Sequence, residues 1–415
     1  MNLFYHFGLW LYRLIVRLIS PFHEKAACFT KGRNGLIRRI KEQVSNENPI
    51  VWFHCASLGE FEQGYPIMEG YRRIHPEHKI ILTFFSPSGY EVKKGDGVAD
   101  WIFYLPLDTR RNARRFLDAV KPAKAIFVKY EFWHNYLITL RKRNIPTYII
   151  SATFHPSQPF FKWYGAFFRK MLRSFTLLFV QDQDSVTLLE QIEVTHVAMA
   201  GDTRFDRVLA QAQLPCLQPV IEAFCTLNHT TNTQRIIVAG STWPRDESLL
   251  EHLLDAYNEV KLILVPHEVD NVRILSVMDQ FARFHPVRYS QLSNIESIPI
   301  DSKVMVVDTI GLLFQLYRFG SITYVGGGFE DGIHNIIEAA VYGVPVVFGP
   351  RYQKFVEAVD LVGLGGGFSV KTPKALAALV GKWLTLPQTC AEAGQVCARY
   401  VQGQIGATKV ILSRL

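Results

Sequence analysis

A chain of 415 residues is longer than one hydrophobic core usually organises, so two domains of similar size are expected. Hydrophobic residues make up 48% and charged residues 20%, with Gly and Pro scattered, which excludes a disordered or fibrous chain. The net charge of +8 asks for an anionic partner, whether nucleic acid, acidic membrane or phosphorylated substrate, and does not choose among them. The six cysteines, Cys28, Cys55, Cys216, Cys225, Cys390 and Cys397, form no CxxC pair and no regular spacing. That argues against a disulfide framework or a zinc site and fits thiols in a reducing cytoplasm.

Residues 3–19, LFYHFGLWLYRLIVRLI, are apolar but carry His6, Arg13 and Arg17 at helical spacing, which places the three on one side of a helix. No basic stretch precedes the run and no A-x-A-like site follows it, so a cleaved signal peptide fits poorly. A spanning helix would put Arg13 near mid-bilayer at a cost of about 2.5–3.5 kcal/mol, which a helix lying in the interface avoids. The pattern predicts an amphipathic, membrane-associating segment over residues 1–32, the alternative being a helix packed on the protein. Arg38, Arg39 and Lys41 follow, suited to acidic headgroups.

Beyond the anchor, short apolar runs alternate with helical patterns, as in βαβ units with a parallel sheet. Strands are predicted at 50–55, 80–85, 101–105, 125–128, 147–151 and 177–181. A second series starts at Arg235 with IIVAGS and continues with KLILVP, VMVVDT, SITYVGG and VPVVFG. The fold class is therefore α/β, with two Rossmann-like domains facing a cleft, one over 33–212 and one over 235–395. A connection over 213–234, rich in Pro, Thr, Asn and Gln, separates them, and a helix over 396–415 is expected to pack back on the first domain. There is no G-x-G-x-x-G opening a helix and no G-x-x-x-x-G-K-[ST] loop.

Chemistry in such folds collects outside the carboxyl ends of strands. In the first half, Ser57-Leu58-Gly59-Glu60 follows a strand, and Glu60 is a candidate general base. Spacing alone reads Ser57-x-x-Glu60 first as a capping box. Asp182-Gln183-Asp184 spells D-x-D, but the helix-like run behind it makes helix capping the better reading, and no metal role is assigned. Arginines at 110, 111, 114 and 115, and the basic-aromatic stretch 159–175, suit phosphate or headgroups, or else a helix with a core side and a solvated side.

In the second half, Gly326, Gly327 and Gly328 would let backbone approach a ligand, and a helix over 334–342 would open with free N–H groups toward an anion. Glu338, one turn in, could accept ribose hydroxyls or be solvated. Gly240-Ser241-Thr242 is a second phosphate-friendly turn, where Thr242 could instead cap the next helix. Pro266-His267-Glu268 and Thr309-Ile310-Gly311 close two further strands.

With these residues the sequence resembles the 3-deoxy-D-manno-octulosonic acid (Kdo) transferases of lipopolysaccharide synthesis. The matching segments run in order along nearly the whole chain: WFHCASLGEFEQ, FFSPSGYE, FYLPLDTRRNARRFL, FVKYEFWHN, GDTRFDRV, GSTWPRDE and VDTIGLLFQLYRFGSITYVGGGFEDGIHNIIEAAVYGVPVVFGP. The resemblance implies the GT-B architecture and an inverting, metal-independent transfer without a cofactor. The donor would be CMP-Kdo and the acceptor a phosphorylated lipid A precursor at the cytoplasmic face of the inner membrane. It gives Glu60 the base position over the capping reading. Donor binding falls to Ser241, Thr242, His267, Thr309, Ile310, Gly311, Gly328, His334, Asn335 and Glu338. Acceptor or phosphate binding falls to Ser57, Gly59, Ser86, Ser88, Glu131 and Lys162. The expected partners are the donor, the acceptor and an anionic membrane surface, with no nucleic acid, and the protein is expected to be a monomer. Leu312, His134 and the segment around Arg245 depart from the commoner family pattern. A sugar-nucleotide 2-epimerase of the same architecture and a non-catalytic lipid-binding protein are the alternatives.

Overall fold

The structure, a computed structural model, describes residues 2–95, 97–226 and 235–415. The chain divides into two compact units. Unit 1 holds the residues up to Arg207 together with Gln404–Leu415, and unit 2 is Val208–Gly403.

In unit 1 three helices come first: α1 (Asn2–Ile19), α2 (Glu24–Arg33) and α3 (Leu36–Gln43). Strand β1 (Ile50–Cys55) leads into α4 (Leu58–Ile74), β2 (Lys79–Phe84) into α5 (Pro87–Lys93), and β3 (Trp101–Tyr104) into α6 (Arg110–Val120). β4 (Lys124–Val128), β5 (Thr147–Ala152), β6 (Leu177–Val180) and β7 (Val197–Met199) complete a seven-stranded sheet in the order β3-β2-β1-β4-β5-β6-β7. All pairs are parallel. A central parallel strand is covered on both faces, which is why β1 reads as a mostly apolar run. Its alternate residues serve two cores: Ile50 and Trp52 pack on one face with Phe116 and Phe127, and Val51, Phe53 and Cys55 on the other with Phe61 and Ile67.

α1 is anchored along one edge, where the Tyr5 hydroxyl donates to Asp108 Oδ2 at 2.6 Å and Tyr12 packs on Phe29 and Phe85. Its opposite side leaves Phe4, Phe7, Trp10 and Leu18 exposed. Among the described residues no helix is long and apolar enough to cross a membrane. α6 is capped by Thr109, whose hydroxyl accepts from the Asn112 N–H at 3.2 Å. It buries Ala113, Phe116 and Leu117 and turns Arg110, Arg111, Arg114 and Arg115 outward. The stretch 159–175 is not one helix. A 3-10 turn, Pro159–Phe161, is followed by helix Ala166–Leu172, because Gly165 sits 2.5–2.8 Å, measured at a built Cβ, from three carbonyls of the turn.

Unit 2 repeats the plan with β8 (Arg235–Thr242), β9 (Val260–Pro266), β10 (Val287–Arg288), β11 (Val304–Val306), β12 (Ile322–Val325), β13 (Val346–Phe348) and β14 (Gly367–Ser369). Their order is β10-β11-β9-β8-β12-β13-β14, again all parallel. In each sheet the strand order reverses beside the first strand, between β1 and β4 and between β8 and β12, and that is where such folds open a crevice. Of the expected connection at 213–234, residues 219–226 form a helix inside unit 2 and residues 227–234 lie outside the described residues. At the other end, helix Pro387–Gly403 belongs to unit 2, and only the last stretch, with helix Ala407–Leu412, belongs to unit 1.

Candidate functional site

The strand ends at the reversal of unit 1 carry its polar groups. Ser57 caps α4 and forms a full capping box: its N–H donates to Glu60 Oε2 at 3.0 Å and its hydroxyl donates to the same oxygen at 2.5 Å. The spacing-based reading is therefore what the local geometry contains, and it fixes the Glu60 side chain at the carboxyl end of β1. The other oxygen, Oε1, accepts no hydrogen bond among the described residues, and Glu60 is half-exposed. A Cβ added at Gly59 would meet only Ser57 Oγ, at 3.8 Å, so the first turn of α4 is unobstructed.

Glu131 ends the loop behind β4 and is buried. Its Oε2 lies 2.9 Å from His54 Nε2 and accepts from the Trp133 indole N–H at 2.6 Å. The fully buried His54 ring reaches Thr83 through Nδ1, and the Thr83 hydroxyl accepts from Trp52. Glu131, expected among the phosphate-binding candidates, is thus tied into a buried chain of hydrogen bonds, and a carboxylate so placed supports the strand ends instead of meeting an anion. Sequence reasoning passed over His54 and Trp133. Ser86 caps α5 and bonds Ser88 through the hydroxyls at 2.9 Å, while its N–H donates to the Ala56 carbonyl at 2.7 Å, which places Ser86 beside the Ser57 turn. Lys162 belongs to its own loop, where its carbonyl accepts from Gly165 and Arg169.

The reversal in unit 2 is built differently. Gly326 and Gly328 pack closely on protein backbone where a side chain would stand: a Cβ would lie 2.3 Å from the Ser241 carbonyl at Gly326 and 2.6 Å from Gly349 at Gly328. Ser241 holds φ of 52°, an unusual conformation for a side-chain-bearing residue. Thr242 does not cap the following helix. It is buried and its hydroxyl donates to Glu247 Oε1 at 2.9 Å, while Trp243 takes the cap position of helix Pro244–Ala256. Asp246 accepts from the Trp243 and Gly327 N–H groups, both at 3.0 Å, and from the Tyr324 hydroxyl at 2.7 Å. It stitches the helix start to the glycine turn. Burial pushes the carboxyls of Asp246 and Glu247 up in pKa, against hydrogen bonds that pull them down.

In front of this buried layer stand three rings. Trp243 stacks on His267 at 4.7 Å between centroids, and His267 on His334 at 4.5 Å. Burial, and then the neighbouring His267, hold the His334 pKa below its ordinary value, so its imidazole is neutral near pH 7. The expected helix over 334–342 is only Ile337–Ala340. The His334 N–H donates to the Gly326 carbonyl and the Ile337 N–H to Asn335 Oδ1, so the expected row of free helix-opening donors is not formed. Asn335 also donates to Glu338 Oε1 at 2.9 Å. The structure therefore brings Ser241, Thr242, His267 and His334 to one place, with Asn335 and Glu338 paired behind them. Thr309, the exposed Ile310 and Gly311 form a turn beyond β11, two strands away from β8.

Asp182 caps helix Gln183–Glu190, accepting from the Ser185 N–H at 2.7 Å, so the D-x-D run is local capping. Among the described residues the single cluster with metal-ligand chemistry is His75, Glu77 and His78, at the amino end of β2 and so at the opposite end of the strands from Glu60.

Two all-parallel seven-stranded sheets, each with polar groups at its reversal point, define the two-Rossmann GT-B architecture. The family model of 3-deoxy-D-manno-octulosonic-acid transferase (kdotransferase) matches residues 30–207. A 3-deoxy-D-manno-octulosonic acid transferase of Aquifex aeolicus is 28% identical over 355 residues, 83% of this chain and 89% of that one. One of Chlamydia muridarum is 26% identical over 349 residues, 80% and 76% of the two chains. The family match over residues 30–207 and these relatives together support the Kdo transferase family. At the level of fold alone it is similar to the UDP-GlcNAc 2-epimerase of Neisseria meningitidis bound to UDP-GlcNAc, with a TM-score of 0.61 at 16% identity over 88% of this chain and 98% of that one. It is likewise similar to MurG of Acinetobacter baumannii, with a TM-score of 0.55 at 13% identity over the same shares.

Proposed function

We propose that the protein transfers Kdo from CMP-Kdo to a sugar hydroxyl of a phosphorylated lipid A precursor in lipopolysaccharide synthesis, by a single inverting displacement. Glu60 is the general base. The observation that carries the reading is the split use of its carboxylate: Oε2 is held by Ser57, which fixes the group in place, and Oε1 is left to take a proton. The acceptor hydroxyl passes its proton to Oε1 as its oxygen bonds the anomeric carbon of Kdo. The bond from that carbon to the phosphate oxygen breaks, and CMP leaves with the electron pair. Unit 2 holds the donor, with Ser241 and the His267–His334 rings as the groups nearest the phosphate and sugar. A monophosphate leaving group needs no chelated metal, and none is assigned. The protein acts as a monomer at the cytoplasmic face of the inner membrane, with α1 lying in the interface and its exposed Phe4, Phe7, Trp10 and Leu18 toward lipid.

The test is Glu60→Gln. Gln also completes a capping box, so α4 stays intact while the base is lost. CMP release from CMP-Kdo in the presence of the lipid acceptor should fall by about 10²–10⁴-fold with CMP binding unchanged, and turnover near the wild-type rate would remove Glu60 from the mechanism. Epimerisation of UDP-GlcNAc by the wild type would favour the 2-epimerase reading instead.

A further inference from the structure

Helices α1, α2, α3 and α6 of unit 1 enclose an open pocket of about 720 Å³. Arg13 and Arg17 from α1, Lys41 from α3, and Arg111 and Arg115 from α6 line it beside Arg38, which pairs with Glu42 at 3.7 Å; no Asp or Glu is itself in the lining. Among the described residues none of the other five side chains has an ion-pair or hydrogen-bond partner. The pocket floor is set by Arg33, whose guanidinium is consumed by the carbonyls of Leu105 at 2.9 Å, Phe29 at 3.1 Å and Phe85 at 2.7 Å. Five uncompensated cations around one concavity repel each other and add nothing to the fold. An anion at their centre reverses that balance. Four of the five are arginines, whose planar forks match phosphate oxygens two at a time.

A second feature says what carries the anion. The helix that supplies Arg13 and Arg17 exposes Phe7, Trp10 and Leu18 along its apolar side, so one helix offers cations to a headgroup and aromatic and aliphatic surface to acyl chains. We propose that this pocket binds the phosphate of a lipid headgroup. The phosphate belongs to a bilayer phospholipid or to a phosphorylated glycolipid, and the two are separated by experiment. The inference uses the interfacial reading of α1 but not the transfer reaction, and it is tested by binding without turnover, so its failure would leave Glu60 and the donor untouched.

Binding of the full chain to vesicles of phosphatidylcholine alone, phosphatidylcholine with phosphatidic acid, and phosphatidylcholine with a bisphosphorylated lipid A disaccharide is compared. The variants are Arg111→Glu with Arg115→Glu in the pocket, and Lys371→Glu with Lys374→Glu on unit 2, which makes the same change in net charge. All four residues are exposed, so thermal melting should not change. The pocket pair should weaken binding to at least one phosphate-bearing vesicle by about tenfold or more, with neutral vesicles unaffected and the unit 2 pair close to wild type. Loss on phosphatidic acid assigns the pocket to bulk phospholipid, and loss only on the disaccharide assigns it to the glycolipid. Equal losses in both variants, or none in the pocket variant, would overturn the proposal. Arg111→Lys with Arg115→Lys should keep most of the binding, which separates charge from damage to α6.

Discussion

The two reversal points both lie beside the first strand of their sheet and differ in how they spend their carboxylates. At the end of β1, Glu60 is half-exposed and uses one oxygen for structure. At the end of β8, Asp246 and Glu247 are fully buried and every bond they make is to the protein, leaving the Trp243, His267 and His334 rings at the front. One scaffold thus leaves a carboxylate oxygen without a partner in unit 1 and presents stacked rings in unit 2. The difference lies in the few residues after each strand.

The sharpest way to break the comparison is at Glu60. Glu60→Gln should lower transfer by about 10²–10⁴-fold, the usual reach of a general base, with CMP affinity measured by calorimetry unchanged. Next comes Gly326→Ala, whose methyl would sit 2.3 Å from the Ser241 carbonyl. Backbone has to move, so a loss of about 1–3 kcal/mol in denaturant unfolding is expected, together with weakened CMP binding. The same change at Gly59 meets only open space and should leave both measurements near wild type. Ser57→Ala removes half the capping box at a cost of about 0.5–2 kcal/mol and frees Glu60 to rotate. Transfer should therefore fall more than the melting temperature suggests; activity that tracks stability alone would show that Ser57 does not position the base.

The smallest effect is in pH. The His334 pKa is lowered in the folded chain, so folding opposes its protonation. Its contribution to stability is complete above the ordinary imidazole value of about 6.5 and is lost as pH falls from there through the lowered folded value. Denaturant unfolding between pH 7.5 and 5.5, roughly one unit either side of it, should show a decline that His334→Gln reduces, by less than about 1.4 kcal/mol per pH unit. An unchanged slope would mean that His334 titrates alike in both states.

The strands at the heart of both sheets were legible because parallel strands buried on both faces are mostly apolar runs, as IVWFHC and KLILVP show, broken only by His54 and Lys261. Three peripheral ones, Val197–Met199, Val287–Arg288 and Gly367–Ser369, are two or three residues long and leave no such run. The capping box at Ser57 was legible because both partners lie within four residues, whereas the preference for its Glu as a proposed base over a cap came with the family resemblance. Asp246 was hidden for the converse reason: its hydroxyl donor, Tyr324, lies 78 positions away. The helix expected from His334 failed on tertiary grounds. The Gly326 carbonyl takes the His334 N–H and His267 holds its ring, which fixes the segment as a loop until Ile337.

The closing stretch of the chain sets an order of events during synthesis. Asp206 accepts from the Gly406 and Thr408 N–H groups at 2.7 and 2.6 Å, and Leu412 fills the hollow that Gly70 leaves on α4. The first unit to leave the ribosome therefore lacks its last helix until all of unit 2 has been made. At 5–20 residues per second that is a delay of about 10–40 s, during which the α4 face stands open. A nascent chain halted near Gly403 should draw chaperones to unit 1, and release of the final twelve residues, Gln404–Leu415, should end that binding.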